Sequence, residues 1–188
     1  MAQNFDNLDW VDGQHSVPGI FPAVYYIPKS KLASWPQFPA SPASAVDEVT
    51  YQGAFALVSE AVWKKINCID VKSVPTSEPQ GEIRCVSVNN KITIVVSLTE
   101  EKATAFCKLA NNTDLVYLFR ERDSKKWRVV GSEMFTTLTK AALNVGSEPT
   151  GERGVTIEVE ATDIVPFPFY TGSIVTDEGD INPGSSGT

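Results

Sequence analysis

Residues 154 to 164, GVTIEVEATDI, alternate without a break: Val155, Ile157, Val159 and Ala161 fall on one side, Thr156, Glu158, Glu160 and Thr162 on the other. A period of two over such a run predicts a β-strand with one face on a core and the other wet and acidic. No single strand is stable in that state, so the chain must build at least one sheet with a packed side and a solvated side. Residues 49 to 172 share this texture. IRCVSV (83 to 88) and KITIVVSL (91 to 98) flank Asn89-Asn90, which tolerate positive φ, and predict a tight hairpin. DLVYLFRERD and KWRVVGSE predict a second one around Asp123 to Lys126.

Between the hairpins the period changes to that of a helix. Thr99 is a suitable N-cap, Glu100 and Glu101 suit the positive end of the dipole, and Ala103, Phe106, Cys107 and Ala110 recur on one face until Asn111-Asn112. Residues 129 to 146 carry both a helical face and a β-favouring Thr run, and read only as a large excursion before a Gly-rich loop, Gly146 to Gly154. The fold class predicted is mainly β: a two-sheet β-sandwich or barrel with one flanking α-helix and extended N- and C-terminal arms. The divisions are an N-terminal arm (1 to 48), a β-sandwich (49 to 172) and an acidic, polar tail (173 to 188).

The arm is predicted from its prolines. Six of the twelve, Pro18, Pro22, Pro28, Pro36, Pro39 and Pro42, lie in the first 48 residues, interleaved with Phe5, Trp10, Phe21, Tyr25, Tyr26, Trp35 and Phe38. Such a segment is expected not to join a central sheet, yet it is too aromatic to remain solvated. It either wraps its own domain or docks on a neighbouring subunit, and the apolar area of seven large aromatics favours the second. Phe167, Phe169 and Tyr170 near the other end read the same way.

Charge narrows the function. Sixteen basic against 23 acidic residues give −7, which opposes phosphate-gripping nucleic-acid binding. Residues 1 to 28 hold −3, residues 154 to 188 hold −6, and the middle is +2. No run of 18 apolar residues and no basic, apolar leader is present, so the expectation is a protein made in a cytoplasm without a membrane anchor. Cys68, Cys85 and Cys107 match no zinc spacing and read as buried free thiols. A lone histidine, His15, supplies neither a metal cluster nor an acid/base pair.

Catalytic patterns fail one by one. Ser132 in VVGSEMF lacks the second glycine of a nucleophile elbow; Glu158 and Glu160 sit two apart on one strand face; no phosphate-cradling glycine motif occurs. Asn111-Asn112-Thr113 is a glycosylation sequon without a leader to expose it. No enzyme, cofactor or metal is expected.

The order of segments is informative: IRCVSV, KITIVVSL, the helix EEKATAFCKLANN, DLVYLFRERD, KWRVVGSE, then GVTIEVEATDI closing at VPFPFYTG. In that order and texture, over about residues 49 to 172, the chain resembles the tail tube (major tail) proteins of tailed bacteriophages. The resemblance implies a virion structural protein whose homohexameric rings stack into a hollow tube, a conduit for DNA during ejection, meeting other tail proteins at its ends. It implies that one sheet continues around the ring to line the channel, with Thr156, Glu158, Glu160 and Thr162 facing the lumen. It further implies that 131 to 153 or 73 to 82 bridges adjacent rings and that the aromatic ends act as inter-subunit arms. An acidic lining suits passage, because it repels the duplex within a Debye length of about 8 Å. Two other classes stay open: a β-sandwich binding or decoration module of a virion or cell surface, and a hydrolase using an acidic dyad.

Overall fold

Leu115 to Phe119 are apolar at five successive positions and all five are buried, whereas residues 154 to 163 alternate buried and accessible. The first pattern belongs to a strand covered on both faces and the second to one covered on a single face. These two strands mark the two sheets of the protein, a computed structural model described here for residues 7–146 and 153–182. In chain order the strands are β1 (Ile20–Pro28), β2 (Leu32–Ser34), β3 (Thr50–Tyr51), β4 (Ala56–Leu57), β5 (Lys64–Asn67), β6 (Val74–Gln80), β7 (Ser87–Val96), β8 (Leu115–Glu121), β9 (Trp127–Val130), β10 (Leu138–Asn144), β11 (Gly154–Asp163), β12 (Phe169–Tyr170), β13 (Val175–Thr176) and β14 (Gly179–Asp180), with the helix α1 (Glu101–Ala110) between β7 and β8. One sheet has the order β3-β12-β9-β8-β1-β5 and the other β10-β11-β7-β6, with two-stranded ribbons β13-β14 and β2-β4 outside them. The mainly β, two-sheet architecture with one helix is as expected.

The core between the sheets joins Val24, Tyr117 and Phe119 to Ile92, Ile94, Ile157 and Val159, and α1 closes one side with Cys107 and Ala110. Each such aliphatic or aromatic side chain contributes about 1.5–3 kcal/mol of burial free energy. The predicted helical face holds: Ala103 and Phe106 pack on this core beside the two buried residues. The cap moves by one residue, to Glu100, without a side-chain capping bond.

A second core lies on the other face of the six-stranded sheet. Tyr25, Ile27, Val116, Leu118, Trp127 and Val129 point into it, and Trp35, Tyr51, Phe55, Trp63 and Ile174 cover them. Trp35 meets Phe55 edge-on at 4.9 Å, and Phe55 meets Trp63 at 5.4 Å. Tyr170 is admitted because its hydroxyl accepts the Phe55 N–H (3.1 Å) and donates to the Ser173 carbonyl (2.8 Å).

This second core overturns the N-terminal arm of residues 1 to 48. From Ile20 onward the segment belongs to the domain, with β1 central between β8 and β5. Its prolines are tolerated because Pro22 falls in the register break between Ile20 and Val24 and Pro28 is the last strand residue. Tyr25 and Trp35 are buried, Phe38 stacks on Tyr51 at 4.3 Å, Tyr26 packs edge-on against Phe106 at 5.2 Å, and Phe21 lies under the Arg120 guanidinium at 5.1 Å. Phe167 and Tyr170 are buried too, and Phe169 lies under the Arg128 guanidinium at 3.8 Å. All eight are engaged within their own domain: Tyr25, Trp35, Phe38 and Tyr170 in this second core, Tyr26 and Phe167 in the core between the sheets, and Phe21 and Phe169 beneath arginine guanidinium groups. Trp10 remains solvent-facing, and Phe5 lies outside the described residues.

Asn89 and Asn90 form no turn but sit inside β7, whose hairpin partner is β6 rather than residues 83 to 86. The turn is at 81 to 86, where Gly81 has φ +99° and an added Cβ would meet the Cys85 carbonyl at 2.5 Å. Residues 73 to 82 are therefore largely strand and not a bridging loop. Within 131 to 153, residues 138 to 144 are strand β10, and 147 to 152 lie outside the described residues. Two of the three thiols are buried as expected, whereas Cys85 is exposed on that turn. The tail is structured as far as residue 182: Ile174 enters the second core and Trp63 bridges Thr176.

Candidate functional site

The outer face of the four-stranded sheet follows from the alternation of its strands. With Val155, Ile157, Val159 and Ala161 turned into the core, Thr156, Glu158, Glu160 and Thr162 share the opposite face, as their spacing predicted. Register fixes their neighbours. Glu158 lies between Lys140 and Thr93, Glu160 between Leu138 and Lys91, Thr156 between Ala142 and Val95, and Thr162 beside Asn89. Directly opposed side chains of this kind lie about 4.5–5.5 Å apart at Cβ.

Those neighbours correct the predicted acidic surface. Lys91 and Lys140 flank the two glutamates, and Lys91 also pairs with Glu78 at 3.4 Å. Three carboxylates against two ammonium groups leave the patch at −1, a mixed surface and not an acidic one. The lysines were readable from the alternation of KITIVV and LTKAAL, but only the pairing puts them beside Glu158 and Glu160. Glu158 and Glu160 face solvent on an open sheet, with no enclosing apolar cleft, so the geometry of an acidic dyad is not assembled.

The edges of this sheet are partly occupied, which limits backbone pairing with a neighbouring sheet. Past the start of β6, Val95 of β7 sends its N–H to Ser73 Oγ (3.2 Å) and accepts at its carbonyl from Ile69 N–H (2.7 Å). Alternation then places Pro75 and Pro79 where their missing N–H groups would face outward, so this rim offers a new strand few donors. Along β10, Asn111 occupies the rim as a surrogate strand: its Nδ2 donates to the Ala141 carbonyl (3.1 Å) and its Oδ1 accepts the Ala141 N–H (2.6 Å). The side chain of the Asn111 sequon is thus engaged in holding α1 to the sheet.

A polar knot stands at one end of the face. Asn90, fully buried, donates through Nδ2 to the Val165 carbonyl (3.0 Å) and accepts at Oδ1 from Phe167 N–H (3.2 Å) and Ser77 Oγ (2.7 Å). It holds Phe167 at φ +42°, a left-handed conformation costly for a non-glycine residue. Asp163, at the end of β11, accepts Ile164 N–H at Oδ1 (2.7 Å) while Oδ2 has no partner. Burial pushes its carboxyl up to about 6, against the opposing pull of the Ile164 and Val165 N–H groups.

Ser132 is buried and supports a turn, accepting the Met134 N–H at 3.2 Å, and His15 is exposed in the segment before β1. Among the described residues no helix is long and apolar enough to cross a membrane. Comparison of the chain with family models, with curated proteins and with solved structures finds no match.

Proposed function

We propose that the chain is a structural subunit that assembles with copies of itself into the tail tube of a tailed bacteriophage, with the outer face of the four-stranded sheet lining a channel for DNA. The observation that carries this reading is that face: a sheet uncovered on its outer side and held at −1 by interleaved lysines and glutamates. A conduit wall must avoid the counterion release that makes basic surfaces adhesive, and a near-neutral, slightly acidic wall meets that requirement. Unpartnered apolar side chains elsewhere favour self-association: Leu8, Val71, Ile83, Met134 and Val145 are each largely exposed. With both rims partly occupied, neighbours in a ring meet mainly through side chains and loops.

Negative-stain microscopy of the full chain tests the reading. Rings or tubes are expected, and a stable monomer at high concentration would refute it. Replacing both wall glutamates (Glu158→Lys with Glu160→Lys) takes the patch from −1 to +3. Tubes of that variant should retain duplex DNA with a salt-dependent slope that tubes of the parent chain lack. A binding or decoration module is the second reading, favoured by the partial occupation of the rims; it requires a monomer or trimer that attaches to a larger surface.

A further inference from the structure

A groove of about 830 Å³ runs between α1 and the β1–β5 end of the six-stranded sheet. Tyr26 and Leu115 form its floor, and Phe106 and Leu109 form the helix wall. On its rim Lys64 is paired with Asp177 at 2.6 Å, which leaves Lys31 and Lys102 against Glu60, a net +1. Its volume is that of a typical ligand pocket, about 300–1,000 Å³. The same molecule carries a segment with the opposite character: in Asn7–Val17, Leu8, Trp10 and Val11 are 100%, 64% and 66% exposed, and Asp9 and Asp12 are unaccompanied by any Lys or Arg.

We infer that this groove receives the Asn7–His15 part of that segment from a second copy of the chain, with Trp10 and its neighbours on the apolar floor and the aspartates at the lysine rim. The inference rests on the self-assembly proposed above and names the contact. The occupant comes from another copy because of the direction of β1. Ile20, where the segment enters, pairs with Glu121, whereas the groove lies at the opposite end, where Pro28 pairs with Leu115. Eight strand steps of about 3.3 Å separate the two ends. Ser16 to Gly19 line a different hollow at the Ile20 end, beside Phe119 and Phe167, and the six residues from Ser16 back to Trp10 reach about 20–22 Å at most, short of the groove. A segment on one end and a receptor on the other make a heterologous contact, which closes into rings or propagates as filaments.

Tryptophan fluorescence of the full chain reads the contact directly. Trp35, Trp63 and Trp127 are buried at 8%, 1% and 7% exposure, so the component quenched by acrylamide belongs to Trp10. Followed against concentration, with sedimentation velocity reporting assembly, that component should disappear as assemblies form, and Trp10→Phe should lack it throughout. Leu109→Glu, at an exposed helix position, should raise the half-assembly concentration at least tenfold with an unchanged circular dichroism spectrum. A Trp10→Ala copy still offers its groove and a Leu109→Glu copy still offers its segment, so their mixture should form heterodimers that neither makes alone. Assemblies in which Trp10 stays quenchable, or a Leu109→Glu chain that assembles like the parent, would overturn the docking and leave self-assembly standing. A chain monomeric at every concentration would overturn both.

Discussion

Truncating Asn90 removes the amide that holds the β11–β12 connection. In Asn90→Ala the Val165 carbonyl and the Phe167 N–H, both in buried surroundings, lose their partners, while Ser77 on the edge strand can turn to water. An orphaned buried polar group costs about 1–3 kcal/mol, so two cost about 2–6 kcal/mol, with a centre near 4. For a domain of this size about 1 kcal/mol moves the midpoint by about 2–4 °C, giving a drop of about 8–16 °C. Urea titration and scanning calorimetry would measure it, with Thr93→Ala on the wet side of the same strand as a control that should stay within about 0.5 kcal/mol of the parent. Amide exchange at Phe167 should quicken, because the left-handed residue loses the bond that holds it. A loss below about 1 kcal/mol, with the Phe167 amide protected as before, would refute the reasoning: the connection would then be held by the ring of Phe167 against Phe119, at 5.3 Å, without help from the amide.

Two further outcomes follow from the same geometry. Burial pushes the Asp163 carboxyl up to about 6, above its ordinary 3.8, so the folded state binds the extra proton between those values. The chain should therefore gain stability as pH falls from 7 to 5, by urea titration, and Asp163→Asn should remove that gain. A parent whose stability falls over this interval while Asp163→Asn behaves identically would reject the assignment. At the β10 rim, Asn111→Ala breaks both bonds to Ala141 and should cost about 1–3 kcal/mol, with faster amide exchange at Ala141 than at Ile157 in the next strand. Equal exchange at Ala141 in parent and variant would show the rim is protected by other means.

What the sequence disclosed depended on whether a residue's role was local. The alternation of β11, the helical face of Ala103 to Ala110 and the β8–β9 hairpin each depend on neighbours within a few positions, and these are as the pattern predicts. The aromatic N-terminal stretch was opaque, because the second core that absorbs Tyr25 and Trp35 is completed by Tyr170 and Ile174 from the opposite end of the chain. Asn90 looks like a turn residue for the same reason: its partners are 75 and 77 residues away. The prolines of β6 hide an edge strand, since Pro75 and Pro79 are compatible with a ladder only on its outward-facing side. Thr156, Glu158, Glu160 and Thr162 were legible as a face, whereas its charge was not, because Lys91 and Lys140 arrive on other strands.

Pro75 and Pro79 also bear on the mechanics of anything these molecules build. A cylinder of such staves would be jointed more than woven: few backbone bonds could cross a subunit boundary, and bending or torsion would be taken up along those seams. Each stave would keep its shape while the wall as a whole flexed.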